Sequence, residues 1–270
     1  AGIQTAALAF GGDSGSPPPA TRDQAVTESY NGSSWTEVND LNASRRRISG
    51  NGTTTSALAA GGFEPPGVAK VESWNGSNWT EVGDLNQARS SAGQAGADNT
   101  SSIVFGGSNP AGALLALTET WNGSAWTEVN DLNTSGYGVT GVGIVTAALA
   151  SDRANASDVA QTVVESWNGS SWTEVANLNT PRYYAGGSCS GTNTAALYFG
   201  GQAPGGVTAV NESWNGSSWT EIVDLSIARA GAGGSGIQSS ALAFGGAPPY
   251  MNSTEEFTNA ANTTVTFTDS

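Results

Sequence analysis

Apolar and polar residues alternate along this chain in short runs. Gly, Asn, Ser or Pro breaks them about every 8–12 residues, and nothing shows helical periodicity. That pattern predicts an all-β protein. The clearest run is ESWNGSSWTE at Glu165–Glu174, with close copies at Glu72–Glu81 and Glu212–Glu221.

These copies belong to a longer internal repeat. Trp35, Trp79, Trp126, Trp172 and Trp219 each head a Trp-Thr-Glu-[Val/Ile] stretch, with successive gaps of 44, 47, 46 and 47 residues. Five residues before each lies another aromatic: Tyr30, Trp74, Trp121, Trp167 and Trp214. Seven before lies Glu28, Glu72, Glu119, Glu165 or Glu212. Leu41, Leu85, Leu132, Leu178 and Leu225 follow at a fixed offset. Then comes an arginine in four copies (Arg45, Arg89, Arg182 and Arg229), with Gly136 in its place in the third. Upstream of each motif sits a small-residue strand ending in a diglycine, as in ALAFGG at Ala7–Gly12. The fourth such strand is degenerate, AALASD at Ala147–Asp152, and ALAFGG at Ala241–Gly246 makes a sixth.

Each unit reads as four short strands: a Gly/Ala-rich inner one, the diglycine strand, a strand carrying the Glu and first aromatic, and one carrying the second Trp. Small residues on the inner strand suit a strand crowded around an axis. The diglycine, the spaced aromatics, and the Leu and Arg that follow resemble the kelch repeat. The likeness covers essentially the whole chain. It implies a β-propeller of four-stranded antiparallel blades around a channel. Copies rich in WNGSSWTE and TAALAFGG are also similar to kelch-like arrays encoded by phages of aquatic bacteria.

Six diglycine-type strands imply six blades in one domain, approximately 1–43, 44–87, 88–134, 135–180, 181–226 and 227–270. The first blade's innermost strand is in question, because nothing precedes GIQTAALAFGG at Gly2–Gly12. Upstream residues are missing, or that blade has three strands, or Thr263–Asp269 closes the ring there. The preferred reading makes Thr263–Asp269 the outer strand of blade six. The chain opens at Ala1 with neither an initiator Met nor a leader, the mark of a processed, excised or partial product.

Asn-Gly between the aromatics is a hairpin signal. With a two-residue turn Glu72 would face Trp79; with a four-residue loop Trp74 would. Either way both rings share one face and fill the gap between blades. A residue stamped into every blade cannot converge on one site, so the aromatics read as staples. The repeat glutamates read as partners of the repeat arginines, not as a catalytic pair.

Composition narrows the chemistry. The chain has 270 residues, 9 basic and 23 acidic, for a net charge of −14, which repels nucleic acid and anionic membrane. It has no His, removing the commonest general base and transition-metal ligand. That also breaks any resemblance to the kelch-type copper oxidases. Cys189 is the single cysteine, so no intrachain disulfide can form. No apolar run approaches the roughly 20 residues of a membrane helix. No cofactor and no metal is expected.

Recognition is therefore sought in what differs between blades. The loops after each diglycine vary, and they open on the same face as the connections between blades. That face should collect Arg45, Arg46, Arg47, Arg89, Arg153, Arg182 and Arg229, with the aromatics Phe63 and Tyr250, as candidate contacts for an anion or acidic glycan. Asn31, Asn75, Asn122, Asn168 and Asn215 form Asn-Gly-Ser sequons and are candidate glycosylation sites. The expected function is a non-enzymatic extracellular binding or structural module. Its most fitting setting is a virion surface, as a tail fibre, spike or capsid decoration touching host glycans or neighbouring subunits. A glycosylated secreted or cell-surface adhesin is the alternative. A glycan-active enzyme using carboxylates at the channel mouth, such as Asp152 or Asp158, comes third.

Overall fold

The computed structural model describes residues 1–15, 22–65, 67–260 and 264–266. Six four-stranded antiparallel sheets follow one another along the chain, each with its strands in sequence order. Blade two shows the pattern: Ser49–Gly52, Ala57–Ala60, Val71–Trp74 and Trp79–Glu81, from axis to rim. Blades three to six repeat it from Gly93, Thr140, Gly186 and Gly233. The molecule is a six-bladed β-propeller.

Blade one begins with a two-residue inner strand, Gly2–Ile3, before Ala6–Asp13, Asp23–Tyr30 and Trp35–Val38. Blade six ends on Thr264–Thr266, which pairs outside Thr254–Ala260. The preferred placement of the C-terminal segment thus holds over these three residues; the rest of Thr263–Asp269 lies outside the described residues. The ring closes between the last and first blades without a covalent link. Trp35 Nε1 donates to Thr254 Oγ1 at 2.9 Å and Tyr30 OH to Glu256 Oε1 at 2.9 Å.

The outer hairpin is the four-residue kind. Trp74 faces Trp79 and Glu72 faces Glu81. Of the Asn75–Gly76 pair only Gly76 has positive φ (93°), so this is not the two-residue turn with both central residues left-handed. Instead the Asn75 carboxamide oxygen accepts the amides of Ser77 and Asn78, both at 2.9 Å. The same cap recurs at Asn31, Asn122, Asn168 and Asn215, and all five asparagines are exposed at the rim.

The facing rings sit 5.0–5.4 Å apart and are mostly buried. The second ring of each pair also reaches the preceding blade: Trp79 Nε1 donates to Thr27 Oγ1 at 3.0 Å, and Trp172 Nε1 to Thr118 Oγ1 at 3.1 Å. Near the axis the small residues are required. A Cβ on Gly141 would lie 2.3 Å from the Gln94 carbonyl oxygen, and one on Gly234 2.3 Å from that of Gly187.

Candidate functional site

The repeat arginines do not face a ligand. Arg45, Arg89, Arg153, Arg182 and Arg229 are 0–1% exposed, which corrects the expectation that they line the basic face. Each pairs with the glutamate of the blade its segment enters or belongs to. The distances are 2.7 Å to Glu72, 2.7 Å to Glu119, 2.8 Å to Glu165, 3.2 Å to Glu212 and 2.6 Å to Glu255. The guanidinium fork also satisfies backbone: Arg45 Nη1 donates to the carbonyls of Gly61 (3.0 Å) and Lys70 (2.8 Å). The other glutamate oxygen caps the incoming connector, as Glu72 Oε2 accepts from the Asn42 amide at 2.7 Å. Burial lowers the pKa of Arg45, Arg89 and Arg153, and the facing carboxylates oppose that shift.

Blade four makes this clasp from the opposite side. Gly136 stands where the others have arginine, and Asp152-Arg153 stands where they have Gly-Gly. Arg153 Nη1 reaches both Glu165 Oε1 (2.8 Å) and the Thr134 carbonyl (2.5 Å). Asp152 takes the left-handed backbone (φ 53°) that the diglycine position demands. It is fully buried, 3.9 Å from Arg182, and burial raises its pKa from the ordinary carboxylate value to about 6. It is therefore withdrawn from the channel mouth, where the third reading placed a carboxylate of a glycan-active enzyme. A raised folded pKa means the unfolded chain loses its proton first, so Asp152 erodes stability as pH rises from about 4 to about 6. Asp152→Asn, which also tolerates positive φ, is expected to match the parent near pH 4 and melt higher at pH 7.5. Parallel melting curves at the two pH values check this; an equal gap at both would refute it.

The two positions after each repeat arginine form the channel mouth. The first bridges to the residue just past the diglycine: Arg46 to Phe63, Ser90 to Ser108, Tyr137 to Ala154, Tyr183 to Gln202 and Ala230 to Ala247. The second has positive φ in every case: Arg47 (55°), Ser91 (57°), Gly138 (70°), Tyr184 (55°) and Gly231 (66°). Their backbones hydrogen-bond in series. Ser91 N donates to Arg47 O (3.1 Å), Gly138 N to Ser91 O (2.8 Å), Tyr184 N to Gly138 O (2.9 Å) and Gly231 N to Tyr184 O (2.8 Å). Arg and Tyr are costly choices where glycine would relax, and such strain clusters at functional sites.

The side chains converge. Tyr184 spans the mouth from blade five to blade three, where its hydroxyl lies 2.9 Å from Ser91 Oγ. Tyr137, Tyr183 and Tyr184 pack edge-to-face or tilted with ring centroids 5.2–5.8 Å apart, and Tyr137 OH donates to Asp158 Oδ1 at 2.6 Å. Burial raises the pKa of both Tyr137 and Tyr184, which keeps these two hydroxyls protonated. Arg47 lies 5.9 Å from the Phe63 ring centroid and 6.0 Å from that of Tyr184. Arg46 stacks on Phe63 at 4.5 Å and is neutralised by Asp23 and, at 3.8 Å, Asp13.

Arg47 differs from every other cation in the chain. Of the nine basic residues, the other eight form ion pairs, and among the described residues exposed Arg47 has no carboxylate partner. Tyr250 is half exposed at the edge of this face, accepting from Arg22 at 2.7 Å. The tyrosines were missed in the sequence because only their offset after the repeat-arginine position, Arg182 in blade five and Gly136 in blade four, marks them. A cleft of about 440 Å³ at the rim, between Asn130 and Trp167, is not comparable. Its Asn130–Ser170 contact recurs as Asn39–Ser77 in an earlier seam, so it belongs to the repeat.

No protein-family model and no curated protein matches the sequence. Among solved structures, one described as "Structure of YjhT" superposes with a TM-score of 0.74. The match covers 90% of this chain and 91% of that one, at 13% sequence identity. The likeness is one of fold alone.

Proposed function

We propose that this protein is a non-enzymatic binding module that holds an acidic glycan at the channel mouth. Arg47 would contact the carboxylate or sulfate, with the Phe63 and Tyr184 rings as sugar platforms. The observation that carries this reading is the exposed Arg47, without a carboxylate partner among the described residues and held in a strained conformation between two aromatic rings. In a chain of net charge −14, an unpaired cation in such a place is a specific attraction against a repulsive background. Binding is favoured over catalysis because Asp152 is buried and Asp158 is engaged by Tyr137. The repeat pattern supports a kelch-type propeller of phage origin, displayed on a virion surface and contacting host glycans or neighbouring subunits. The rim exposure of Asn31, Asn75, Asn122, Asn168 and Asn215 favours a second reading, a glycosylated adhesin.

Titration calorimetry against uronate-containing or sialylated polysaccharide tests the proposal. Arg47→Ser is expected to weaken binding about 10–100-fold, the worth of a charge-assisted hydrogen bond. Arg46→Ser, already neutralised within the protein, should change it far less. Equal affinity of the Arg47 variant and the parent would end the proposal.

A further inference from the structure

Asp13, Asp23, Glu64 and Asp158 all lie in the loops that follow the diglycine positions, on the mouth face. Three of them are matched by a cation: Asp13 by Arg22 at 2.7 Å, Asp23 by Arg46, and Glu64 by Lys70 at 3.1 Å. Asp158 is exposed and forms no ion pair among the described residues. It is the counterpart in negative charge of Arg47, and the two do not pair with each other.

The place of Asp158 is built. Arg153–Ala154 pairs with Ala160–Gln161 as a two-stranded ribbon off blade four. At its tip Asn155 Oδ1 accepts the amides of Ser157 (2.9 Å) and Val159 (3.1 Å), and Asp158 takes the left-handed backbone, φ 59°. Ala154 bridges to Tyr137, whose hydroxyl donates to Asp158 Oδ1 at 2.6 Å. That bond orients the carboxylate and brings it no positive charge.

Arg47 and Asp158 mark the two ends of one aromatic wall. The wall runs from Arg47 to the Tyr184 ring (6.0 Å), from there to the Tyr137 ring (5.8 Å), and from the Tyr137 hydroxyl to Asp158. Tyr184 feels both charges: burial chiefly raises its pKa, Arg47 opposes that shift and Asp158 adds to it. The three tyrosine rings pack against one another, so they form a surface and not a cage around a cation. A cation on that surface is held by what can accept its hydrogen bonds, which is the carboxylate.

We propose that the mouth is bipolar and that the glycan it holds is zwitterionic, with an acidic group at Arg47 and the primary ammonium of an amino sugar at Asp158. This rests on the acidic-glycan reading and adds the second charge of the ligand. Two opposite charges at fixed points also set direction. A glycan laid in reverse would bring carboxylate to Asp158 and ammonium to Arg47, and both contacts would repel.

The test is titration calorimetry near pH 6 with a hyaluronan hexasaccharide, which alternates uronate with N-acetylated amino sugar, before and after chemical removal of its acetyl groups. The protein is expected to bind the deacetylated form about tenfold more tightly or better, as one charge-assisted hydrogen bond allows. Asp158→Asn keeps an acceptor for Tyr137 and tolerates positive φ. It should abolish that preference while leaving the affinity for the acetylated form and the melting temperature unchanged. Arg47→Ser should weaken both forms. Equal affinity of the parent for the two forms would overturn the zwitterionic ligand and leave the acidic-glycan reading standing, as would a preference that survives Asp158→Asn. An equal loss of both forms in Asp158→Asn would show a hydroxyl contact in place of the ammonium. Binding of neither form by the parent would overturn both readings.

Discussion

Arg153→Gly is expected to remove about 3–5 kcal/mol of stability, because it leaves Glu165 charged, fully buried and without its cation. The informative result is the rescue. In four other blades the arginine enters from the connector and a glycine faces it; in blade four the two have exchanged places. A Cβ on Gly136 would sit 2.8 Å from the Arg153 Cβ, so the site has room for one arginine only. Gly136→Arg alone should therefore destabilise. Combined with Asp152→Gly and Arg153→Gly, which restores the common arrangement, it should recover most of the loss. Urea denaturation of the parent, the two partial variants and the triple variant measures this. If the triple variant is no more stable than Arg153→Gly, the exchange is not an equivalent clasp.

Trp74→Ala is the second large effect, about 3–5 kcal/mol for emptying a buried indole. Trp74 is 2% exposed, packs 5.3 Å from Trp79, and donates to the Thr54 carbonyl at 2.8 Å. It holds the rim of blade two and stands apart from the mouth residues. The variant should lower the denaturation midpoint while leaving glycan affinity per folded molecule at the parental value. A well-folded Trp74→Ala protein that no longer binds would show the indoles to be the site.

The propeller was legible because its determinants recur: an aromatic at a fixed offset five times over reports geometry, not chemistry. The crowding that forbids a Cβ at Gly141 was legible as small residues on the inner strand for the same reason. The pairing of repeat arginine with repeat glutamate was legible as well; that these arginines are buried, away from the basic face, was not. Composition makes an arginine in a variable connection look like surface charge. Whether it turns inward depends on a carboxylate some 27–30 residues away, as in Arg45–Glu72 and Arg89–Glu119. Arg153 was harder still, since the repeat arginine's own place is kept by Gly136 in another segment. The mouth is read from the residues that break the repeat, and Tyr137, Tyr183 and Tyr184 are single events against a loud periodic background. The turn at Asn75 stayed open in the sequence between two and four residues, because a carboxamide acceptor can replace a second left-handed residue.

Arg45 and Arg47 are two residues apart in the chain, one anchored beneath a seam and the other presented at the opening. Tension on anything tethered at Arg47 enters the backbone almost directly above the Arg45–Glu72 pair. It is shared there with the strands of two blades before it can peel either one. The anchorage that makes these six sheets a ring thus also makes the opening a place from which the molecule can be pulled.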